Sequence, residues 1–556
     1  MANSGEKYQG VPGARPDTVQ RPWLYILLLP VAGGLLLPAG LAPMHFPAGT
    51  LAAAALPMLA VRRLGLVQSA IASLIYGTVS ALATASWVYT AVHDHYRMGV
   101  LASAGFTVFI VGVGNGFFEG LPVFLWRLLA GASTGPSPSP KSVPRYIVRP
   151  LLAGSVAFLT DIFRTTGPLS MPWGLIGAGL GSSDLLAQSV DLFGVRGHSF
   201  VAALTGGFLY EAVERYLHAR PVPLAGYLRH SPPLRWAGGV LAVLLLYGAV
   251  RSLWVEAALK ETRRTGTPLR IAAIQANIRQ GERWQPELVP QNMNRHLALS
   301  EQAASESKPD VIIWPETAMN TYVTDSGNEW GRRLYALAFS SGAHLLLGGP
   351  HADFSGPGGG PRYFNSIFQV DPRTGFTARY DKNQLLLFAE FNPLTGNPLF
   401  PRAEAVPDDY TPGGQATLFR IGRFTLGPVI CFEALYPALV RNLVRSGAQV
   451  ILNVSNDAWF GETRAAAQHM EQSRLRAIEH RKYLVRNAGT GISAIVDPLG
   501  RYAGTPLPIF TEGILSGEVY AADIPSLYTA AGDWPLTLIS LLIAGTGLAG
   551  RLRKQG

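Results

Sequence analysis

A single cysteine occurs in the 556 residues, and its surroundings suit a nucleophile. The apolar run Phe424–Ile430 follows a Gly422, Arg423 turn and reads as the second strand of a hairpin ending at Cys431. Residues 433–446 come next, apolar at Ala434, Leu435, Ala438, Leu439, Leu443 and Val444 and stopped by Gly447, the pattern of a helix. Cysteine on a strand-to-helix turn meets the free N–H groups and positive dipole end of the helix, which favour thiolate. A lone cysteine is also commonly a small buried hydrophobe, so its partners matter. Glu316 follows Val311, Ile312, Ile313, Trp314 and Pro315, which places a carboxylate at the mouth of an apolar strand. Lys382 stands in Tyr380, Asp381, Lys382, Asn383, Gln384, beside the apolar residues 385–388. Singly, each is an ordinary surface charge. Together the three supply a base for the thiol proton, a cation for a developing oxyanion and a nucleophile.

These residues need a scaffold, and residues 268–522 alternate strand and helix patterns. Strands are expected at Leu269–Gln275, 311–314, 344–348, 366–370, the Cys431 hairpin, Val450–Ser455 and 491–496, with helices at 290–305, 330–341 and 468–482. Such alternation predicts a layered α/β fold, its sheet beneath helices. Residues 353–362 and 396–414 are long loops rich in Gly and Pro, of the kind that often carries function.

Composition adds a second environment. Apolar residues make up 48% of the chain and charged residues 15%, and the apolar ones are concentrated outside the α/β stretch. Spanning segments are expected at 23–38, 48–61, 66–90, 99–126, 146–164, 193–214, 236–254 and 533–550, each near the ~20 residues a bilayer requires. The first two are broken by prolines and can instead form one kinked hairpin. Residues 1–22 are polar and proline-containing, which predicts a disordered lead. Basic residues fall on one side of this count: Lys7, Arg15 and Arg21, Arg62 and Arg63, Arg127, Lys141, Arg145 and Arg149, Arg215, Arg220, Arg229 and Arg235, Arg551, Arg553 and Lys554, against Arg97, Arg164 and Arg196 opposite. That asymmetry puts both termini in the cytoplasm and the α/β domain outside. It also accounts for much of the net charge of +10, leaving no support for a nucleic-acid partner. With one cysteine, no intrachain disulfide is possible.

The order Glu316, Lys382, Cys431, with these flanks, resembles the nitrilase (carbon–nitrogen hydrolase) superfamily. The apolar segments on both sides make the chain similar to the apolipoprotein N-acyltransferase family. The likeness extends to residues 453–461, reading Asn, Val, Ser, Asn, Asp, Ala, Trp, Phe, Gly, and to His469, Arg474, Arg476, Ala477 and Glu479. It also takes in Trp87, Val88 and Tyr89, Pro172 with Trp173, Trp284, and Gly532, Asp533, Trp534. Departures stand beside it. The family's Leu, Val, Pro, Phe, Gly, Glu is here Leu385, Leu386, Leu387, Phe388, Ala389, Glu390; Asp161 replaces a Glu near Arg164; and alanines replace a basic residue after Tyr528.

The resemblance implies a multi-span α-helical membrane domain (23–260, about seven helices), a periplasmic nitrilase-like domain (268–522) built as an α-β-β-α sandwich, and a final spanning helix (533–550), all at a bacterial inner membrane. It implies that Glu316 takes the Cys431 proton, that the thiolate attacks an acyl ester of a membrane phospholipid, and that Lys382 and the Phe432 N–H hold the oxyanion. The amine of a diacylglyceryl cysteine on an apolipoprotein would then discharge the thioester. Glu390 and Glu433 would orient Lys382 or relay protons, or serve as plain ion pairs. Trp284, Trp173, Trp459 and Phe388 are candidate substrate contacts, with 385–388, Trp459, Phe460, Leu399 and Phe400 as apolar loop tips. His93, Asp94 and His95 lack further ligands, and this chemistry needs no metal or cofactor. A monomer is expected. Two alternatives stay open: a membrane-tethered amidase or nitrilase using water as acceptor, and a non-catalytic lipoprotein-binding factor.

Overall fold

The computed structural model describes residues 23–131, 144–167, 170–218, 223–323, 328–354, 360–391 and 409–552. The expected lead 1–22, Lys141, Arg220, Arg553, Lys554, Leu399 and Phe400 lie outside the described residues. The α/β part contains strands β1 (Leu269–Gln275), β2 (Val311–Ile313), β3 (His344–Asp353), β4 (Arg362–Asp371), β5 (Gly375–Asp381), β6 (Phe419–Ile421), β7 (Phe424–Ile430), β8 (Val450–Ser455), β9 (Tyr483–Ala488), β10 (Ala494–Val496) and β11 (Gly513–Val519). They form a six-stranded sheet in the order β11-β1-β2-β3-β4-β5 and a five-stranded sheet in the order β10-β9-β8-β7-β6.

The side-chain alternation of a strand explains how the layers assemble. Ile271 and Ala273 of β1, Ile313 of β2 and Leu346 of β3 join Val429, Leu452, Val454 and Val485 of the second sheet in one core. Their neighbours Ala272, Ile274, Ile312, Leu345 and Leu347 point the other way, against Met293 and Leu297 of the helix Val289–Ser307 and Leu334 and Leu337 of the helix Glu329–Ser341. Helices Pro437–Arg445 and Ala465–His480 cover the second sheet. The result is an α-β-β-α sandwich. The chain sequence left β5, β9 and β11 unread. β5 and β11 are edge strands, half-buried or exposed over most of their length rather than apolar throughout. β9 carries buried Arg486 and Asn487, whose polarity disguises an interior strand.

Helices make up the rest. Among the described residues, Leu66–Ala85, Val100–Ala130, Arg145–Arg164 and Pro232–Thr265 are long and apolar enough to cross a membrane, and Leu24–Gly40 and Pro47–Val61 are shorter apolar helices. Val190–His218 and Trp534–Leu552 pack with them. Close approach depends on small residues: a Cβ on Gly77 would run into the carbonyl oxygen of Gly116 on the facing helix. Thr107–Asn115 is a π-helical stretch within Val100–Ala130, and it borders the cavity described below.

The two halves meet along the buried helix Ala465–His480 and its C-terminal Arg481. Arg481 Nε donates to Asp191 Oδ2 (2.9 Å), while its Nη groups donate to the side chain and carbonyl of Gln188 (2.6 and 2.9 Å). Arg251 and Tyr247 donate to the same Asp191 carboxylate, both at 2.7 Å. Arg474 Nη2 donates to the carbonyl of Gly181 (2.9 Å), and Val195 N–H donates to Glu479 (2.7 Å). Breaking such a buried pair on one side costs about 3–5 kcal/mol, whereas replacing both partners with apolar groups costs far less. Asp191→Leu is therefore expected to lower the thermal midpoint of the detergent-solubilised protein by several degrees, and Asp191→Leu with Arg481→Leu to recover part of it. Additive losses in calorimetry would contradict this coupling.

Candidate active site

β7 delivers Cys431 from the interior of the second sheet, flanked in register by β8. The backbone turns there: Cys431 has φ +54°, a left-handed conformation that an L side chain adopts only when its surroundings enforce it. The continuous helix expected at 433–446 does not form. A 3₁₀ turn runs Cys431–Leu435, Tyr436 is extended (φ −92°, ψ 99°), and Pro437 opens a separate helix Pro437–Arg445. Proline pushes its predecessor out of the helical region, which accounts for the break.

Glu433 fixes this turn. Its Oε2 accepts from Ile430 N–H (2.7 Å) and Tyr380 O–H (2.9 Å), and its Oε1 from Asn383 N–H (2.6 Å) and Gln384 N–H (3.0 Å). The carboxylate thus joins the cysteine turn to the backbone just after Lys382. Burial pushes Glu433 up to about 7, against the pull of the Ile430 N–H and the Lys382 charge. Hydrogen bonds from three backbone N–H groups favour its ionised form.

Lys382 follows β5 and is 2% exposed. Its Nζ lies 2.8 Å from Glu390 Oε1 and 3.3 Å from Glu316 Oε1. Asn365 Nδ2 bridges the same two carboxylates at 2.8 Å to each, and Glu316 Oε2 accepts from Asn456 N–H at 2.7 Å. Glu390 Oε2 accepts from Leu386 N–H (2.9 Å), closing the loop 385–390 around the ammonium. Burial opposes the Lys382 charge, but Glu316, Glu390 and Cys431 outweigh it and hold the ammonium well above its ordinary range. The Cys431 thiol moves in the opposite sense from the sequence expectation. Burial first and the Glu316 charge second raise it, and Lys382 only partly compensates. A preformed thiolate is disfavoured, so this arrangement suits proton removal by Glu316 as the sulfur attacks.

Cys431, Glu316, Lys382 and Glu390 face one cavity of about 460 Å³. The helical half contributes apolar lining from Phe106, Ile110, Val111, Phe118 and Phe163. Trp284, Trp459, Phe388 and Phe432 also line it. Trp173 does not: it is fully buried, stacked on Phe432 with ring centroids 5.8 Å apart, its indole N–H given to Gln468 (3.1 Å) and the Thr84 carbonyl (3.3 Å). Tyr96 O–H donates to the Phe388 carbonyl (2.8 Å), tying the Lys382 loop to the helical half. Asn365 and Asn456 escaped the sequence reading of the site. Asn456 lay in the 453–461 resemblance, but Asn365 sits in a strand of mixed polarity and offers no motif. Two departures are also explained. Arg164 pairs with Glu119 (2.9 Å) rather than Asp161, and Arg441 Nη2 donates to the Ala530 carbonyl (2.7 Å), bringing a cation to where the alanines removed one.

The sandwich, with a carboxylate, an ammonium and a thiol on one cavity, defines the class: residues 270–528 match the carbon–nitrogen hydrolase family. Residues 33–208 match the apolipoprotein N-acyltransferase N-terminal domain. The apolipoprotein N-acyltransferase of Pseudomonas paraeruginosa is 30% identical over 97% of this chain and 98% of its own, and that of Geobacter metallireducens is 32% identical over 67% and 68%. Saccharomyces cerevisiae Nit3, a member of branch 10 of the nitrilase superfamily, has a solved structure that matches with TM-score 0.36 and 18% identity over 48% of this chain and 95% of its own. The chain belongs to the apolipoprotein N-acyltransferase family. It is an acyltransferase of lipoprotein maturation, which removes the non-catalytic reading.

The raised thiol carries a prediction. Below its pKa a thiol gains thiolate only tenfold per pH unit, so the ultraviolet thiolate absorbance of wild type minus Cys431→Ala is expected to stay near zero from neutral pH to about pH 9. A full thiolate signal at neutral pH would show that the helix end, not burial, governs Cys431.

Proposed function

We propose that Glu316, Lys382 and Cys431 carry a two-step acyl transfer from a membrane phospholipid to the N-terminal amine of a diacylglyceryl cysteine. Glu316 takes the Cys431 proton and the sulfur attacks the ester carbonyl, with the oxyanion held by Lys382 and the Phe432 N–H. Collapse expels the lysophospholipid, whose departing alkoxide takes the proton back from Glu316, and leaves a thioester. The lipoprotein amine then attacks the thioester and gives a proton to the Glu316 carboxylate, which passes it to the departing Cys431 sulfur as the amide forms. Glu390 orients Lys382, and Glu433 holds the two backbones together. Trp284, Trp459 and Phe388 contact acyl chains; Trp173 supports Phe432 from behind.

The observation that carries this reading is the shared cavity, which Glu316, Lys382 and Cys431 line together with apolar side chains of the helical half. A small-molecule amidase can use the same three residues, but it has no need of that lining. The proposed organisation is a membrane domain 23–260, a periplasmic catalytic domain 268–522 and a last span 533–550 in the inner membrane, as a monomer with cytoplasmic termini. Supporting it, basic residues gather at one end of the helices. Arg149 pairs with Glu211 and Arg63 with Glu214, and Arg127 donates to the carbonyls of Val61 (2.9 Å) and Leu64 (2.8 Å).

Cys431→Ser is expected to insert and fold but to form no labelled acyl-enzyme and no triacylated lipoprotein by mass spectrometry, since an unactivated hydroxyl is far less nucleophilic. Glu316→Gln is expected to give almost no acyl-enzyme from labelled phospholipid, while Lys382→Met acylates slowly, by roughly 10² to 10³, and discharges slowly to a diacylglyceryl peptide. Rapid acylation by Glu316→Gln would reverse the assignments. In a Cys431→Ala background, cysteines at Gly281 and Gln415 should react with an impermeant maleimide in intact spheroplasts, and one at Arg229 only after lysis; the opposite pattern would invert the topology.

A further inference from the structure

A closed ring of buried polar groups sits behind the nucleophile, on the side away from the cavity. The Cys431 carbonyl oxygen accepts from His469 Nε2 and from Asn453 Nδ2, both at 3.2 Å. A carbonyl oxygen only accepts, so His469 carries its proton on Nε2. His469 Nδ1 lies 3.1 Å from the donor Arg486 Nη2 and 3.2 Å from Asp457 Oδ1. Arg486 Nη2 also grips Asp457 (2.8 and 3.0 Å), and its Nη1 reaches Asn453 Oδ1, which completes the circuit. Ser455 O–H adds a donor to Asp457 at 2.7 Å. Asn453, His469 and Arg486 are fully buried, and the rings of Phe460, Trp173 and Phe432 lie 5.7, 5.9 and 6.4 Å from the imidazole. Aromatic walls of this kind leave little room for water to replace a lost donor.

The Cys431 carbonyl and the Phe432 N–H are the two ends of one planar peptide, and they point in opposite directions. Two donors on the carbonyl therefore fix the plane and, by polarising it, strengthen the N–H at the other end. We infer that His469 and Asn453 are positioning residues for acyl transfer: they hold the Cys431–Phe432 peptide so that its N–H meets the oxyanion, with Asp457 and Arg486 fixing the orientation of both side chains. The ring also anchors the carbonyl of the one residue whose left-handed backbone turns the chain out of β7. This inference rests on the proposed roles of Cys431 and the Phe432 N–H.

Two reactions of the same sulfur separate positioning from mere structure. Acyl transfer from phospholipid develops an oxyanion, whereas alkylation by iodoacetamide displaces iodide at a tetrahedral carbon and develops none. In full-length protein in detergent micelles, His469→Leu is expected to slow single-turnover acylation by labelled phospholipid about 10-fold or more, a fraction of what removing a direct oxyanion donor costs. Its rate of Cys431 alkylation should stay within about twofold of wild type, and His469→Gln, which keeps an N–H donor, should recover much of the acylation. If His469→Leu does not fold, the same ratio measured on Asn453→Ser, which withdraws the other donor, decides. Equal losses in both reactions, or wild-type acylation in the variant, would overturn the inference. Absence of a Cys431 thioester in wild type would instead overturn the underlying reading of the site.

Discussion

A lysine ammonium held 2% exposed beneath a protein surface is among the more costly placements a chain can make, and the interior of this domain is arranged around that cost. Two carboxylates, Glu316 and Glu390, satisfy it, and each must itself be buried and hydrogen-bonded. Asn365 bridges them, Asn456 N–H and Leu386 N–H take the remaining oxygens, and Glu433 holds the backbone beyond Lys382 against the cysteine turn. Removing any of these leaves a charge or a donor unpaired in a low-dielectric space. The same enclosure pushes the Cys431 thiol up and places it on one cavity with Glu316 and Lys382. A prearranged field of buried, hydrogen-bonded charges of this kind is what stabilises charge that appears only during reaction.

The helix Ala465–His480 links that field to the membrane-facing half. Its first turns present His469 to the Cys431 carbonyl, and its later turns and Arg481 lock onto Gly181, Gln188, Asp191 and Val195 of the helical region. Docking and site geometry therefore share one rigid element. This helix thus touches both the Cys431 turn and the helical region.

Much of the apolar lining of the site comes from outside the sandwich. Phe106, Ile110, Phe118 and Phe163 come from helices outside the sandwich, so the cavity exists only where the two halves meet. Tyr96 and Phe106 both touch Phe388, through a hydrogen bond to its carbonyl and a ring contact at 5.7 Å. The Lys382 loop, which in a free-standing domain would face water, is covered by the membrane region here.

How much of this was legible in the sequence follows from the range of each interaction. Strand alternation in β1 and β8, the glycine and proline punctuation, the apolar blocks and the order of Glu316, Lys382 and Cys431 are local or additive signals, and they carried the fold class, the family and the candidate triad. Tertiary structure alone decided that Pro437 splits the helix after Cys431, that Trp173 is packing rather than lining, that Arg164 takes Glu119 as its partner, and that the thiol is pushed up rather than down. It alone placed Asn365 between two carboxylates and His469 behind the nucleophile. Each of these depends on which polar groups are shut away from water together, 38 residues apart for Cys431 and His469 and 45 for Arg164 and Glu119. Burial and partner choice are properties of the packed chain, and no window of sequence contains them.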